Sequence, residues 1–230
     1  MELDTIIPDD SKKPYSCHKV IELLADENSI YEYQPYWARN IVCCFARVMG
    51  ETVGFIANNT EVKAGCFDMD ASDKFARFVD ILDCYNIPMI TLTDTPGFLP
   101  GKNQEHGGII RHGAKTLEAC YRATIPKIQV VLRKNVGGAC LPMGYNLFNL
   151  DVNLYWPTFD YGIMNPESAC RIIMKNKMKA DPQHADEILA EAVHEFTEAR
   201  TPYSMCAHMW ADDIIEPNET RMRLIKALEF

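Results

Sequence analysis

The sequence predicts a single domain of the α/β class, and three observations carry that prediction. From residue 88 onward, short apolar runs alternate with stretches of helical spacing, as βα units with parallel strands require. Two glycine-rich turns, one within 94–115 and one at 135–140, each lie between a strand-like run and a helix-like run. At 230 residues and 47% hydrophobic content, the chain is long for one domain, short for two, and able to bury a core.

Residues 1–16 are polar and contain Pro8 and Pro14, so they are expected as a linker or arm with too few apolar groups to pack. The domain itself is expected over 17–230. Val20, Ile21, Leu23 and Leu24 predict a short helix over 17–25, while 29–37 is aromatic-rich without a decided structure. Runs of β-branched, aromatic and small apolar residues at 41–49 and 52–58, with Gly50-Glu51 between them, predict a β-hairpin. Phe75, Phe78, Val79, Leu82 and Tyr85 make one helical stripe within 70–85, with Asp70 or Ser72 available as N-cap. Strands are expected at 88–93, 127–132 and 153–156, and helices at 107–123, 166–174, 182–197 and 216–227. Pro142 suits the first turn of a helix after the second glycine turn, where its missing N–H costs nothing.

The net charge of −9 argues against broad binding to nucleic acid or anionic membranes, while leaving room for a local phosphate site. The nine cysteines are odd in number, scattered and without a Cys-x-x-Cys pair, which reads as reduced thiols packed as small apolar groups. Adjacent Cys43 and Cys44 point to opposite faces of a strand. The six histidines supply no zinc-type cluster, so no metal is expected. The start, Met1-Glu2-Leu3-Asp4, lacks a signal pattern, and no apolar run reaches the ~18 residues of a membrane span. The expectation is a soluble, cytoplasmic protein.

Glycine turns let backbone N–H groups approach a ligand, and a helix start just beyond adds partial positive charge, so both turns are candidate oxyanion sites. Each feature has a plainer reading. Gly137-Gly138-Ala139 alone is also a tight strand-to-helix turn, and Gly107-Gly108 also suits close helix–sheet packing. Asp94 and Glu105 are better read as turn chemistry than as an acid–base pair, Asp94 capping its own turn. Arg111, His112 and Lys115 fit an anion site or surface ion pairs equally, and Lys134 fits the end of its strand. Cys140 has no histidine identified beside it and reads as a packed thiol.

Several runs taken together resemble a known family. They are Asp73-Lys74-Phe75-Ala76-Arg77-Phe78, Asn86-Ile87-Pro88, 94–115, Arg133-Lys134 before Gly137-Gly138-Ala139, Asp151-Val152-Asn153 with Trp156-Pro157, and Asp212-Asp213-Ile214-Ile215-Glu216-Pro217. In this order they resemble the carboxyltransferase β-subunits of biotin-dependent acyl-CoA carboxylases, the propionyl-CoA carboxylase type. The resemblance covers only the C-terminal one of two crotonase-like domains, and Met1 falls at the family's interdomain linker. It therefore implies either a second polypeptide carrying the N-terminal half or a fragment.

The resemblance implies a crotonase-like fold of repeated ββα units and a reaction that moves CO2 from carboxybiotin, on a carrier protein, to the α-carbon of an acyl-CoA. Backbone N–H groups of Gly138 and Ala139 would hold the ureido oxygen of biotin as an oxyanion hole, each worth roughly 3–4 kcal/mol. Biotin itself would act as base, so no side-chain base is needed. Gly137, Gly107, Gly108 and Phe98 would shape the biotin site, and Cys140 and Leu141 the acyl pocket. Relatives have Tyr-Asp where this chain has Cys140-Leu141, and tyrosine where it has His106, so acyl selectivity should differ. Expected partners are a subunit resembling the N-terminal half, in an obligate oligomer, and a biotin carboxyl carrier protein. Alternatives are a subunit of a biotin-dependent decarboxylase of the glutaconyl- or methylmalonyl-CoA type, a non-catalytic scaffold subunit, and a biotin-independent crotonase-type enzyme.

Overall fold

The computed structural model describes residues 2–144 and 150–229, apart from the side chain of Met205. Its strands are β1 (Tyr31–Tyr33), β2 (Ile41–Val48), β3 (Glu51–Asn58), β4 (Met89–Thr95), β5 (Lys127–Val136), β6 (Val152–Tyr155), β7 (Asp160–Gly162) and β8 (Asp213–Ile214). Helices α1 (Leu3–Ile6), α2 (Cys17–Leu24), α3 (Met69–Cys84), α4 (Lys102–Gly107), α5 (Ile109–Arg122) and α6 (Cys140–Gly144) fall in the first two thirds. They are followed by α7 (Pro166–Ile173), α8 (Lys175–Ala180), α9 (Ala185–Glu198), α10 (Pro202–Ala207) and α11 (Thr220–Leu228).

The sheet runs β1-β2-β3-β4-β5-β6-β8. Its first three strands are antiparallel and the rest parallel, with α3 crossing from β3 to β4 and α5 from β4 to β5. Beyond Val131, β5 leaves β6 and pairs with β7 through Lys134, Asn135 and Val136.

Strand alternation sends side chains into two cores. Val42, Cys44, Ala46 and Val48 pack with Val20, Ile21 and Leu24 of α2 and Leu224 of α11. Ile41 and Cys43 pack on the other face with Phe75, Phe78, Val79 and Leu82 of α3. Each fully buried Leu, Val or Phe contributes about 1.5–3 kcal/mol relative to exposure. The expected opposite pointing of Cys43 and Cys44 thus assigns them to separate cores. Lys74 is the exception on the apolar stripe of α3. It is fully buried, and its Nζ donates to the carbonyls of Gln34 (3.2 Å), Trp37 (3.0 Å) and Ile41 (2.9 Å), which ties the 34–41 loop to the helix.

Several boundaries differ from the sequence reading. The hairpin turns at Met49-Gly50, both at positive φ (+53° and +85°), as a type I′ turn requires, and Glu51 already belongs to β3. The N-cap of α3 is Asp68, two residues earlier than expected, whose Oδ1 accepts from Ala71 N at 2.9 Å. The helix expected over 107–123 begins at Ile109 as α5, after a left-handed joint at Gly108 (φ +90°) that separates it from the unexpected short helix α4. Residues 1–16 pack rather than project, because Leu3 and Tyr15 enter the α2 core. Strand β5 continues four residues past the expected end at Leu132, through a polar run that the site explains.

Candidate functional site

The two glycine turns meet. Gly137, at φ +71°, donates its N–H to the Gly162 carbonyl (2.8 Å), and a Cβ built on it would lie 3.3 Å from the Gly97 Cα. Glycine suits this position on two counts: its positive φ, and a spacing at which any Cβ would push the turn after β4 away by a few tenths of an ångström.

A buried ion pair sets the strand ends beneath the turns. Asp94 is 1% exposed; its Oδ2 accepts from Arg133 Nε at 3.0 Å and its Oδ1 from Lys134 N at 3.1 Å. Asp94 therefore holds the neighbouring strand, which corrects the expectation that it caps its own turn. Arg133 Nη1 also donates to the carbonyls of Asp10 (3.4 Å) and Lys13 (3.1 Å), and its guanidinium lies 5.1 Å from the Tyr15 ring centroid. Burial pushes the Asp94 carboxyl up from its ordinary value, and the Arg133 charge opposes that rise. Lys134 Nζ donates to the Ser11 carbonyl, so 10–15 is fastened by both cations that precede the turn.

Gly138 is exposed and Ala139 is fully buried, and neither backbone N–H has an acceptor among the described residues. By residue exposure Gly138 is the more open of the two positions. The Phe98 ring covers one side: a Cβ on Gly138 would sit 3.5 Å from it and one on Gly113 of α5 2.9 Å from it. Phe98, Gly137, Gly138, Ala139 and the start of α6 thus come together.

Gly107 and Gly108 have contacts elsewhere. A Cβ on Gly107 would strike the Met69 Sδ at 2.2 Å, and Gly108 forms the left-handed joint between α4 and α5 facing Arg111. His112 Nδ1 and Lys115 Nζ lie 2.9 and 2.8 Å from the Asp73 carboxylate of α3, so both are engaged there rather than forming a free anion site. Glu105 is exposed on α4. Leu141 is half-buried at the start of α6.

Cys140 is buried, and desolvation pushes its thiol up to about 11. It is a packed, protonated thiol near neutral pH. Iodoacetamide should therefore label exposed Cys84 first and reach Cys140 only as the pH climbs toward 11, as peptide mass spectrometry would follow. Early labelling of Cys140 near neutrality would contradict this assignment.

Sequence reasoning missed Gly162, Ile163 and Arg200, which adjoin the turn through β7. A three-residue strand offers too few residues for a period-2 pattern. Among the described residues no group of three or more His, Cys, Asp or Glu could hold a metal, and no helix is long and apolar enough to cross a membrane.

Residues 1–230 match the family model described as the carboxyl transferase domain. The chain is 43% identical over 227 residues to the alpha subunit of methylmalonyl-CoA decarboxylase from Propionigenium modestum, covering 98% of the chain and 44% of that protein. It is 45% identical over 231 residues to the methylmalonyl-CoA carboxyltransferase 12S subunit of Propionibacterium freudenreichii subsp. shermanii, covering 99% and 44%. Its backbone is similar to a transcarboxylase 12S crystal structure, a hexamer with methylmalonyl-coenzyme A and methylmalonic acid bound, at a TM-score of 0.96 and 44% identity over 99% of this chain and 44% of that one. The chain spans less than half the length of these relatives.

Proposed function

Because the chain belongs to the carboxyl transferase domain family and has its crotonase-like α/β fold, we propose that it forms the biotin-side half of a site that transfers CO2 between biotin and an acyl-CoA. The observation that supports this reading is the pair of N–H groups at Gly138 and Ala139 that have no acceptor among the described residues, in a turn held by Gly97, Gly162 and the Asp94–Arg133 pair.

Biotin supplies a ureido group that carries CO2 and takes up negative charge on its oxygen when CO2 leaves. The residues present fit it: Gly138 is exposed, its N–H has no acceptor among the described residues, and the Phe98 ring lies beside it. Preorganised donors stabilise a developing oxyanion without reorganisation at the moment of reaction. Cys140 is protonated and Asp94 is engaged with Arg133, so neither is a free base. The chain spans 44% of such relatives, so the thioester oxygen would be held by groups of a complementary half. The exposed apolar residues Ile163, Ile172 and Ile173, 83%, 64% and 62% exposed beside the turn, support such a covering surface. A biotin carboxyl carrier protein would deliver the cofactor.

The 43% identity to a decarboxylase alpha subunit favours a second reading, the same site working toward CO2 release from the thioester. Both readings make one demand. The purified chain should carboxylate or decarboxylate acyl-CoA at background rates, and addition of a complementary N-terminal half should raise the rate by orders of magnitude. Full turnover by the chain alone would refute the shared site.

A further inference from the structure

We propose that the cavity beside Gly162 binds a carboxylate carried on an apolar body, with Arg200 as the group that recognises it. The cavity measures about 600 Å³, and its walls include Ile163, Met164, Ile172, Phe196 and Trp210. That is the size and lining of a small-molecule site, which ordinarily pairs apolar walls with a few placed polar groups.

The polar groups here sort cleanly. Ser204 Oγ donates to the Thr201 carbonyl (2.8 Å), and His208 Nδ1 lies 2.7 Å from the Ser204 carbonyl. Arg200 is different. Its Nη1 and Nη2 are shielded from solvent and make no hydrogen bond, although Nη2 lies 3.2 Å from Asp160 Oδ1. The Arg200 side chain is 13% exposed and that of Asp160 50%, so a ligand carboxylate would share the buried cation with a more exposed acid or displace it. Two contacts fix the guanidinium: it lies over the Phe196 ring, 5.2 Å from its centroid, and over Gly162, where a Cβ would be 2.0 Å from Nη2.

A guanidinium held flat in apolar surroundings presents a planar fork that a carboxylate matches with two parallel N–H···O bonds. A neutral apolar ligand would leave those donors unpaired, and a phosphate dianion would find too few donors in these walls. A monoanion on a hydrocarbon chain satisfies both the cation and the walls. The Gly162 carbonyl also accepts the Gly137 N–H, so an occupant would abut the glycine turn.

Two sources share this chemistry: a free medium-chain carboxylate, and the far end of a dicarboxylic acyl thioester. Isothermal titration of the whole chain tests the proposal with octanoate against octanol, and with the eight-carbon dicarboxylic acyl-CoA against octanoyl-CoA. Octanoate should bind about ten-fold or more tighter than octanol, and Arg200→Met should abolish the difference while Arg200→Lys keeps part of it. A matching preference for the dicarboxylic thioester identifies the acyl source, and a preference confined to the free acid identifies the other. Equal binding of octanoate and octanol, no octanoate binding, or an unchanged preference in Arg200→Met would overturn the proposal. Circular dichroism checks the variants' fold, and the wild-type comparison decides alone if one misfolds. The readout is binding, so it stands or falls separately from the carboxyl-transfer reading.

Discussion

Replacing Ala139 with proline should lower carboxyl transfer by about 10²- to 10³-fold in the enzyme assembled with its complementary half and biotinylated carrier. Proline deletes one of the two N–H groups that have no acceptor among the described residues, so no hydrogen bond among those residues is lost. Gly138 precedes it and tolerates the backbone that a following proline imposes. Ala139→Gly is the matched control, because it removes the buried methyl but keeps the N–H. The proline variant should lose kcat, and the glycine variant should keep most of it at the cost of some thermal stability. Wild-type turnover in a folded Ala139→Pro variant would remove the oxyanion role and favour the scaffold reading.

Arg133→Met should destabilise the chain by about 3–5 kcal/mol, because it leaves Asp94 buried at 1% exposure without its cation. It also removes the donors to the Asp10 and Lys13 carbonyls, so amide exchange should rise across 10–15 ahead of global unfolding. The pH dependence has a definite sign. Without Arg133, burial raises the Asp94 pKa further above its unfolded value near 3.9. A raised carboxyl pKa costs stability once pH exceeds the unfolded value, and costs nothing where the group is protonated in both states. The deficit of the variant, measured by urea unfolding, should therefore shrink as pH falls toward about 4. A deficit that is small at neutral pH or independent of pH would mean that Asp94 finds another partner.

The elements legible in the sequence are those with a long period. The α3 stripe through Phe75, Phe78, Val79 and Leu82 and the hairpin of β2 and β3 stand where the pattern puts them. What was illegible had local causes. Asp68 precedes two other plausible caps, and only the geometry shows which carboxylate meets the first turn. Leu3 and Tyr15 look isolated in a polar stretch; Arg133 and Lys134 hold the backbone at 10–13 beside Tyr15 from about 120 residues away, and Asn218 bonds Asp4 beside Leu3, long-range effects that no window reveals. β1, β7 and β8 hold three, three and two residues, below any usable period. The glycine turns were visible because glycine advertises backbone requirements in its identity. Their mutual contact was not, since it belongs to the tertiary fold.

The change of neighbour along β5 has a consequence for where a ligand can enter. Doubly wound sheets generally open a crevice where strand order reverses. Here the path from β1 to β6 and β8 follows sequence order, and β7 stands off it beside β5. The outer edge of β5 passes from β6 to β7 across 156–159, where Trp156 N donates to the Val131 carbonyl (3.0 Å) and Thr158 Oγ1 to the Leu132 carbonyl (2.7 Å). Buried Trp156 and Phe159 fill that seam, and the cavity lies past it, beside Gly162. The four residues of the seam thus act as a spacer that sets where β7 presents Gly162 to the glycine turn.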